Sequence, residues 1–350
     1  MPWFRDCQSP RGARLRTLVV LGLVMTVVLA AVAEAPLLAS TARPDWLHLG
    51  TVGLTAGNVL PPVHEPGAPA LAAAKRKRDK RRKRQTTAKL LAAGDIASCS
   101  SSGDEATAKL LDTLAGTVVT LGDNAYEKGT ASEFSNCYKP TWGRHKSRTR
   151  PAVGNHEYLT SGAAGYFDYF GAAAGDPEKG YYSYNLGAWH IVVLNSNCSK
   201  VGGCHAGSPQ ETWLRQDLKA HPTKCTLAYW HHPRFSFGKY DDNEATRVLW
   251  QALYAAGAEI VLVGHDHNYQ RYAPQNPDGI LDREHGIRQF VVGTGGKNHY
   301  PLGTPPPNVE ASNDDTFGIL QLILHPTSYD WQFIPVAGTT FTDTGSGTCH

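Results

Sequence analysis

Five times along the chain a short apolar run ends on a polar side chain able to bind a metal, usually across one glycine. Leu90–Ala93 leads into Gly94-Asp95, Val118–Leu121 into Gly122-Asp123, and Pro151–Val153 into Gly154-Asn155. Thr226–Trp230 leads into His231, and Ile260–Val263 into Gly264-His265. Runs this short and this apolar read as strands buried on both faces. In open α/β sheets the carboxyl ends of strands form the rim on which sites are built. A lone Gly-Asp is ordinarily a turn. Five such endings in one chain require a fold that gathers them on a common rim.

The rest of the chain supplies the elements of such a fold. Glu105–Leu114 carries a helical pattern, and Tyr181–Leu186 and His190–Leu194 flank Gly187 as a hairpin. Ser208-Pro209-Gln210-Glu211 has the form of a capping box with proline at the first helical position, opening a helix to about Ala220. A further helix is expected near Glu244–Ala255, and strands at Phe290–Val292, Ile319–Leu324 and Trp331–Ile334. Helices alternate with strands early and strands cluster late. The expected class is α/β, a sandwich of two mixed β-sheets flanked by helices.

Asp, Asn and His offer hard oxygen and borderline nitrogen donors, suited to iron, manganese or zinc. The set is too large for one ion. It fits a pair roughly 3.5–4 Å apart with a bridging carboxylate, as in two-metal hydrolytic sites. Tyr126, three residues after Asp123, adds a phenolate, which matches a trivalent ion. Two carboxylates and a phenolate against a trivalent–divalent pair leave a net positive site, suited to a phosphomonoester dianion.

Gly94-Asp95, Gly122-Asp123-Asn124-Ala125-Tyr126, Gly154-Asn155-His156-Glu157, His231 before Pro233, and Gly264-His265-Asp266-His267 resemble the five ordered motifs of calcineurin-like metallophosphoesterases. Tyr126 narrows the resemblance to purple acid phosphatases, and it runs from Ala92 to about Gly296. The resemblance implies Asp123 as the bridging ligand. Asp95, Tyr126 and His267 would complete a ferric site, and Asn155, His231 and His265 a divalent one holding iron, zinc or manganese. It implies that His156 contacts phosphate or protonates the leaving group, with Asn155 beside it on the substrate. His232 is expected to share that work or to be a structural histidine beside a ligand, and Tyr240 to substitute as a hydrogen-bond donor to substrate. The chain departs from relatives that carry further histidines shortly after the His231 motif, having Ser236–Asp241 there instead. The leaving-group acid is therefore open. Asp266 is expected to orient a ligand histidine. Tyr269 and Arg271 are expected to border the pocket, and Gly293–Gly296 to form a turn near its rim.

Charge divides the chain. The first 86 residues hold 14 Lys/Arg against 5 Asp/Glu, and the remaining 264 hold 20 against 26. Residues 1–35 read as a signal peptide: Arg5, Arg11, Arg14 and Arg16 precede the apolar run Leu18–Ala33, which closes on Ala31, Ala33 and Ala35. An uncleaved N-terminal anchor is the alternative. Residues 36–87 read as a disordered Pro/Ala-rich linker ending in the polybasic block Lys75–Arg84. That block is a spacer or a contact for an anionic surface. It has no interleaved aromatics, so no nucleic-acid partner is expected. Residues 88–350 form the expected catalytic domain.

Of seven cysteines, Cys7 precedes the signal core. Six follow it, an even set that points to disulfides and an oxidising compartment. Cys198 and Cys204 are the easiest pair to close, while Cys99, Cys137, Cys225 and Cys349 allow three pairings. The expectation is a secreted phosphatase that hydrolyses small phosphomonoesters by attack of metal-bound hydroxide, or an outward-facing anchored form. The alternatives are a phosphodiesterase or nucleotidase on the same scaffold and a non-catalytic cell-surface binding protein. No H-E-x-x-H helix supports a metallopeptidase.

Overall fold

The computed structural model describes residues 87–350. The segment expected as signal or anchor, 1–35, and nearly all of the linker 36–87 lie outside these residues. No helix among the described residues is long and apolar enough to cross a membrane.

Side-chain alternation shows how the layers stack. In Trp189–Val193, residues Trp189, Ile191 and Val193 join one buried cluster and Val192 joins another. The same division separates Leu227 and Tyr229 from Ala228, and Ile260 and Leu262 from Val261 and Val263. Residues two apart on a strand share a face. This sheet is thus covered on both sides, which is why its central strands read as unbroken apolar runs.

Among the described residues, thirteen strands make two mixed sheets. The first holds β1 (Ala88–Ala93), β2 (Thr117–Leu121), β3 (Thr149–Ala152), β11 (Gly318–Leu324), β12 (Ser328–Pro335) and β13 (Thr344–Thr348), in the order β13-β12-β11-β1-β2-β3. The second holds β4 (Tyr182–Leu186), β5 (Trp189–Val193), β6 (Cys225–Tyr229), β7 (Ile260–Val263), β8 (Tyr269–Tyr272), β9 (Arg288–Val292) and β10 (Val309–Asn313), in the order β10-β8-β9-β7-β6-β5-β4. Strands β1, β2 and β3 run parallel, as do β5, β6, β7 and β9. The larger apolar cluster draws on both sheets, from Leu90, Ala92 and Val118 to Ile191, Leu227 and Phe290.

Among the described residues, four α-helices longer than one turn cover the sheets: α1 (Gly103–Thr113), α2 (Ala164–Phe170), α3 (Pro209–Ala220) and α4 (Arg247–Ala255). Leu214 of α3 with Leu249 and Leu253 of α4 packs into the second cluster, on the outer face of β5, β6 and β7. The α3 cap forms by half: Ser208 accepts from Glu211 N at 3.4 Å, but the Glu211 carboxylate takes Gly207 N rather than Ser208 N. A reciprocal box occurs instead at Thr130 and Glu133, which no apolar run follows in the sequence.

Three disulfides close within the described residues. Cys198–Cys204 is the pair expected from spacing, and the remaining four resolve into Cys99–Cys137 and Cys225–Cys349.

Candidate metal centre

The loops after the parallel strands are bent in a way that costs energy. Asp95, Asp123 and His265 have φ of 60°, 48° and 70°. That region is uncommon for residues with a Cβ, and such strain concentrates at functional sites. Two glycines of the motifs allow close approach. A Cβ on Gly122 would come within 2.5 Å of His231 Nδ1, and one on Gly154 within 2.1 Å of Asp123 Oδ1.

Seven polar side chains meet there. Tyr126 places its hydroxyl 2.9 Å from Asp95 Oδ1, 3.1 Å from Asp123 Oδ2 and 3.1 Å from His267 Nε2. His231 Nε2 lies 2.9 Å from Asn155 Oδ1, 3.2 Å from Asp123 Oδ2 and 3.2 Å from His265 Nδ1. Two half-sites thus face one carboxylate oxygen, Asp123 Oδ2. Asp95, Asp123, His231 and His267 are buried. Every residue named from the strand endings, together with Tyr126 and His267, is in this cluster.

Its surroundings orient it. His231 donates its Nδ1–H to Leu121 O at 2.8 Å, and His267 Nδ1 faces Asn298 Oδ1 at 2.9 Å, so the Nε2 atom of each points inward. Asp266 does not orient a histidine ring as expected. Its carboxylate instead accepts from Ser236 Oγ and Tyr240 N, because the loop after β6 folds back onto it. Asp95 Oδ2 accepts from His265 N, and Asp123 Oδ1 from His156 N. Glu157 closes the Gly154-Asn155-His156-Glu157 motif, and nothing in the sequence marks its part. It is fully buried and accepts from the backbone N–H groups of Asp123, Asn124, Ala125 and Gly154, tying the loops after β2 and β3 together.

The protonation of the metal-free cluster follows from burial and charge. Burial would raise the Asp123 carboxyl, but the charge and hydrogen bond of His231 outweigh it and hold Asp123 well below the usual range. Burial likewise opposes a charge on His231, yet Asp123 raises it to about 9. Burial and then the His231 charge push His265 down to about 2 and His232 to about 3. Burial, then Asp123 and Asp95, lift the Tyr126 phenol well above its ordinary value. Burial, with the charge of Asp123, raises the Glu157 carboxyl to about 7 against its N–H donors.

The residues expected to meet substrate lie beside the cluster. The His156 ring lies against Tyr126, tilted by 58° with centroids 4.5 Å apart, and its Nε2 lies 3.8 Å from Asp123 Oδ2. His232 lies 4.5 Å from the His265 ring, with Nδ1 on Ser196 Oγ. Tyr240 stacks on His265 at 4.1 Å. Tyr300 stacks on His267 at 4.0 Å; no local pattern in the sequence marks it. Tyr269 and Arg271 are committed elsewhere: both bind Asp343, and neither has a hydrogen bond to the cluster. Gly293–Gly296 is packed against the site, with Gly295 N on Gly94 O at 2.8 Å.

Two mixed sheets with this donor set at the ends of their parallel strands define a metallophosphoesterase. The calcineurin-like phosphoesterase family model matches residues 88–269, a little over half the chain, and the chain belongs to that family. Within it the chain is similar to purple acid phosphatases. Probable purple acid phosphatase 20 of Arabidopsis thaliana is 28% identical over 166 residues, 44% of this chain and 37% of that protein. Purple acid phosphatase 15 of the same plant is 30% identical over 36% of this chain and 26% of its own length. The matches thus span well under half of these relatives. Among solved structures, a purple acid phosphatase from yellow lupin seeds superposes with a TM-score of 0.66 at 17% identity, over 75% of this chain and 54% of that one. GAP50, the anchor in the inner membrane complex of Plasmodium, shares the fold with a TM-score of 0.59 at 11% identity, over 76% and 90% of the two chains.

Proposed function

We propose that the protein hydrolyses phosphomonoesters at a dinuclear metal centre, outside the cytoplasmic membrane. Asp123 would be the shared ligand. Asp95, Tyr126 and His267 would hold a ferric ion, and Asn155, His231 and His265 would hold divalent iron, zinc or manganese. The observation that carries this reading is the single Asp123 oxygen facing both half-sites at 3.1 and 3.2 Å. The donor set fits cations. The one Tyr126 hydroxyl proton faces two carboxylate oxygens and an imidazole nitrogen and can serve only one of them. Bound there, two cations supply Lewis acidity, polarising a phosphoryl oxygen and lowering the pKa of water.

The chain's own groups do the rest. His156 donates Nδ1–H to Glu127 O at 2.6 Å, so a proton gained at Nε2 points toward the centre and is available to a phosphoryl or leaving oxygen. Ser196 Oγ accepts from His232 N and lies 2.8 Å from His232 Nδ1; a hydroxyl turned toward Nδ1 would leave the hydrogen of the neutral ring on Nε2. With its pKa near 3, His232 is a fixed hydrogen-bond donor to phosphate rather than the acid. Tyr240 borders the leaving-group side. Three disulfides support an oxidising compartment.

The test is metal analysis and visible absorption of the isolated protein, with parallel turnover of p-nitrophenyl phosphate and its bis-ester. Two metals per chain, a phenolate-to-iron band and faster monoester turnover are expected. Diester cleavage far exceeding monoester cleavage would move the protein to the phosphodiesterase reading. A fully loaded, oxidised but colourless protein would remove the ferric assignment.

A further inference from the structure

Above the two histidines of the Gly264–His267 motif stands a cation with no carboxylate of its own. Tyr240 stacks on His265 with an interplanar angle of 23°, and Tyr300 on His267 with one of 11°. The two tyrosine rings meet edge-on with centroids 6.0 Å apart. The Lys239 ammonium lies 3.9 Å from the Tyr300 centroid and 5.2 Å from that of Tyr240. Such contacts between a cation and ring faces hold a flexible side chain in place. Among the described residues Lys239 forms no ion pair. Lys297, which covers Tyr126 from another side at 4.9 Å, is paired with Glu127.

The loop beneath Lys239 is fixed to the metal motif itself. Ser236 Oγ and Tyr240 N both donate to the Asp266 carboxylate, Gly238 N donates to Ser236 Oγ, and Gly303 N donates to Phe237 O. Gly238 is pressed so close that a Cβ would come within 2.7 Å of Asn268 Nδ2 and 2.8 Å of Asp266. Asp266 is the residue between the two histidines. The cation is therefore placed by the motif rather than left to the solvent, about one aromatic ring away from the ligands.

The reacting phosphoryl group has its charge opposed by the cluster. A further cation one ring away meets something else: a charge borne by the rest of the substrate. We propose that Lys239, held by Tyr240 and Tyr300, selects phosphomonoesters whose leaving group carries a second anionic group, a carboxylate or a phosphate. This deepens the function proposed above and rests on it.

Matched substrates test the subsite on the metal-loaded full chain. Glycerol 2-phosphate and 2-phosphoglycerate differ by one hydroxymethyl against one carboxylate. Fructose 6-phosphate and fructose 1,6-bisphosphate differ by a second phosphate. At low salt, kcat/KM should favour the more anionic member of at least one pair by about fivefold, the scale of one charge contact near a surface. The preference should reside in KM, shrink in high salt, survive Lys239→Arg and collapse toward parity in Lys239→Met, which keeps the apolar stem. The side chain is exposed, so the variant should fold, and circular dichroism and metal content check this. No preference in either pair, or one that persists in Lys239→Met, overturns the subsite and leaves the phosphatase reading standing. No turnover of any of the four esters by the wild-type protein overturns both.

Discussion

Glu157 never faces the centre, yet four backbone N–H groups converge on its carboxylate, at 3.0 Å from Asp123, 2.7 Å from Asn124, 3.3 Å from Ala125 and 2.7 Å from Gly154. In Glu157→Gln the amide would turn an N–H toward an N–H, leaving a buried donor unpaired at a cost of about 1–3 kcal/mol. The loops that place Asp123 and Asn155 would loosen. Metal affinity should drop by about tenfold or more, as when outer partners of a metal site are removed. Titration of the metal-free protein measures this, and unchanged affinity would show that the loops hold without the carboxylate. Tyr126→Phe keeps the ring beside His156 and His267 and removes the hydroxyl between Asp95 and Asp123. The visible absorption of the iron-loaded protein should disappear while His231 and its neighbours still take up a divalent ion; an unaltered spectrum would place the chromophore elsewhere. The ligand set was legible in the sequence because each member closes an apolar run or follows one within a few residues. Glu157 acts on backbone, while Asn298 and Tyr300 arrive from 31 and 33 positions beyond His267. Such contacts leave no local pattern.

At the scale of elements, the disulfides tie the site to the scaffold. Cys99, in the loop that follows Asp95, is bridged to Cys137 in the helical turn Phe134–Tyr138 beyond Tyr126. Cys225 at the start of β6 is bridged to Cys349. The chain separations are 38, 6 and 124 for Cys99–Cys137, Cys198–Cys204 and Cys225–Cys349. Loop-closure entropy then predicts losses of about 4, 2 and 5 kcal/mol when each pair is replaced by alanine. Urea midpoints of the three double variants should fall in that order, with Cys198–Cys204 least affected. A largest loss at Cys198–Cys204 would contradict the entropic account. The central strands and three of the helices were legible because both faces of each strand, or one stripe of each helix, are apolar. Strands β10 and β13 were not. Val309–Asn313 and Thr344–Thr348 are edge strands of their sheets, half-exposed and polar, with little apolar alternation to read. Strand β8, Tyr269–Tyr272, is buried but carries Gln270 and Arg271, whose partners come from distant segments.

Across the whole molecule, acid should unfold the metal-free protein through its histidines. His265 and His232 are held neutral down to about 2 and 3, and burial also lowers His145, His299 and His350. An unfolded chain takes up protons on these rings below about pH 6.5, and the folded chain does so only at lower pH. These rings make stability fall as pH drops below about 6.5, by up to about 1.4 kcal/mol per pH unit for each proton of difference. Glu157 and Glu259 contribute in the opposite direction: burial raises both to about 7, so they hold protons only in the folded chain between about pH 4.5 and 7. His231 runs the other way. Its folded value is raised to about 9, so its contribution is complete below 6.5 and is lost as pH rises through 9. Asp123, held below its usual range, adds a further loss only where an unfolded carboxyl protonates, near pH 4 and below. Between pH 6.5 and 9 only the folded chain keeps the His231 proton, so the stability of the metal-free chain should be highest near pH 6.5 and decline on both sides. Metal binding requires the same ligands deprotonated, so the rise in unfolding temperature on adding metal should be larger at pH 7.5 than at pH 5. Urea unfolding in chelator at pH 5, 6 and 7 checks the first part, and His232→Gln should make the acid limb shallower by about one proton. An acid limb left unchanged by His232→Gln would mean that this ring is not kept neutral by the fold.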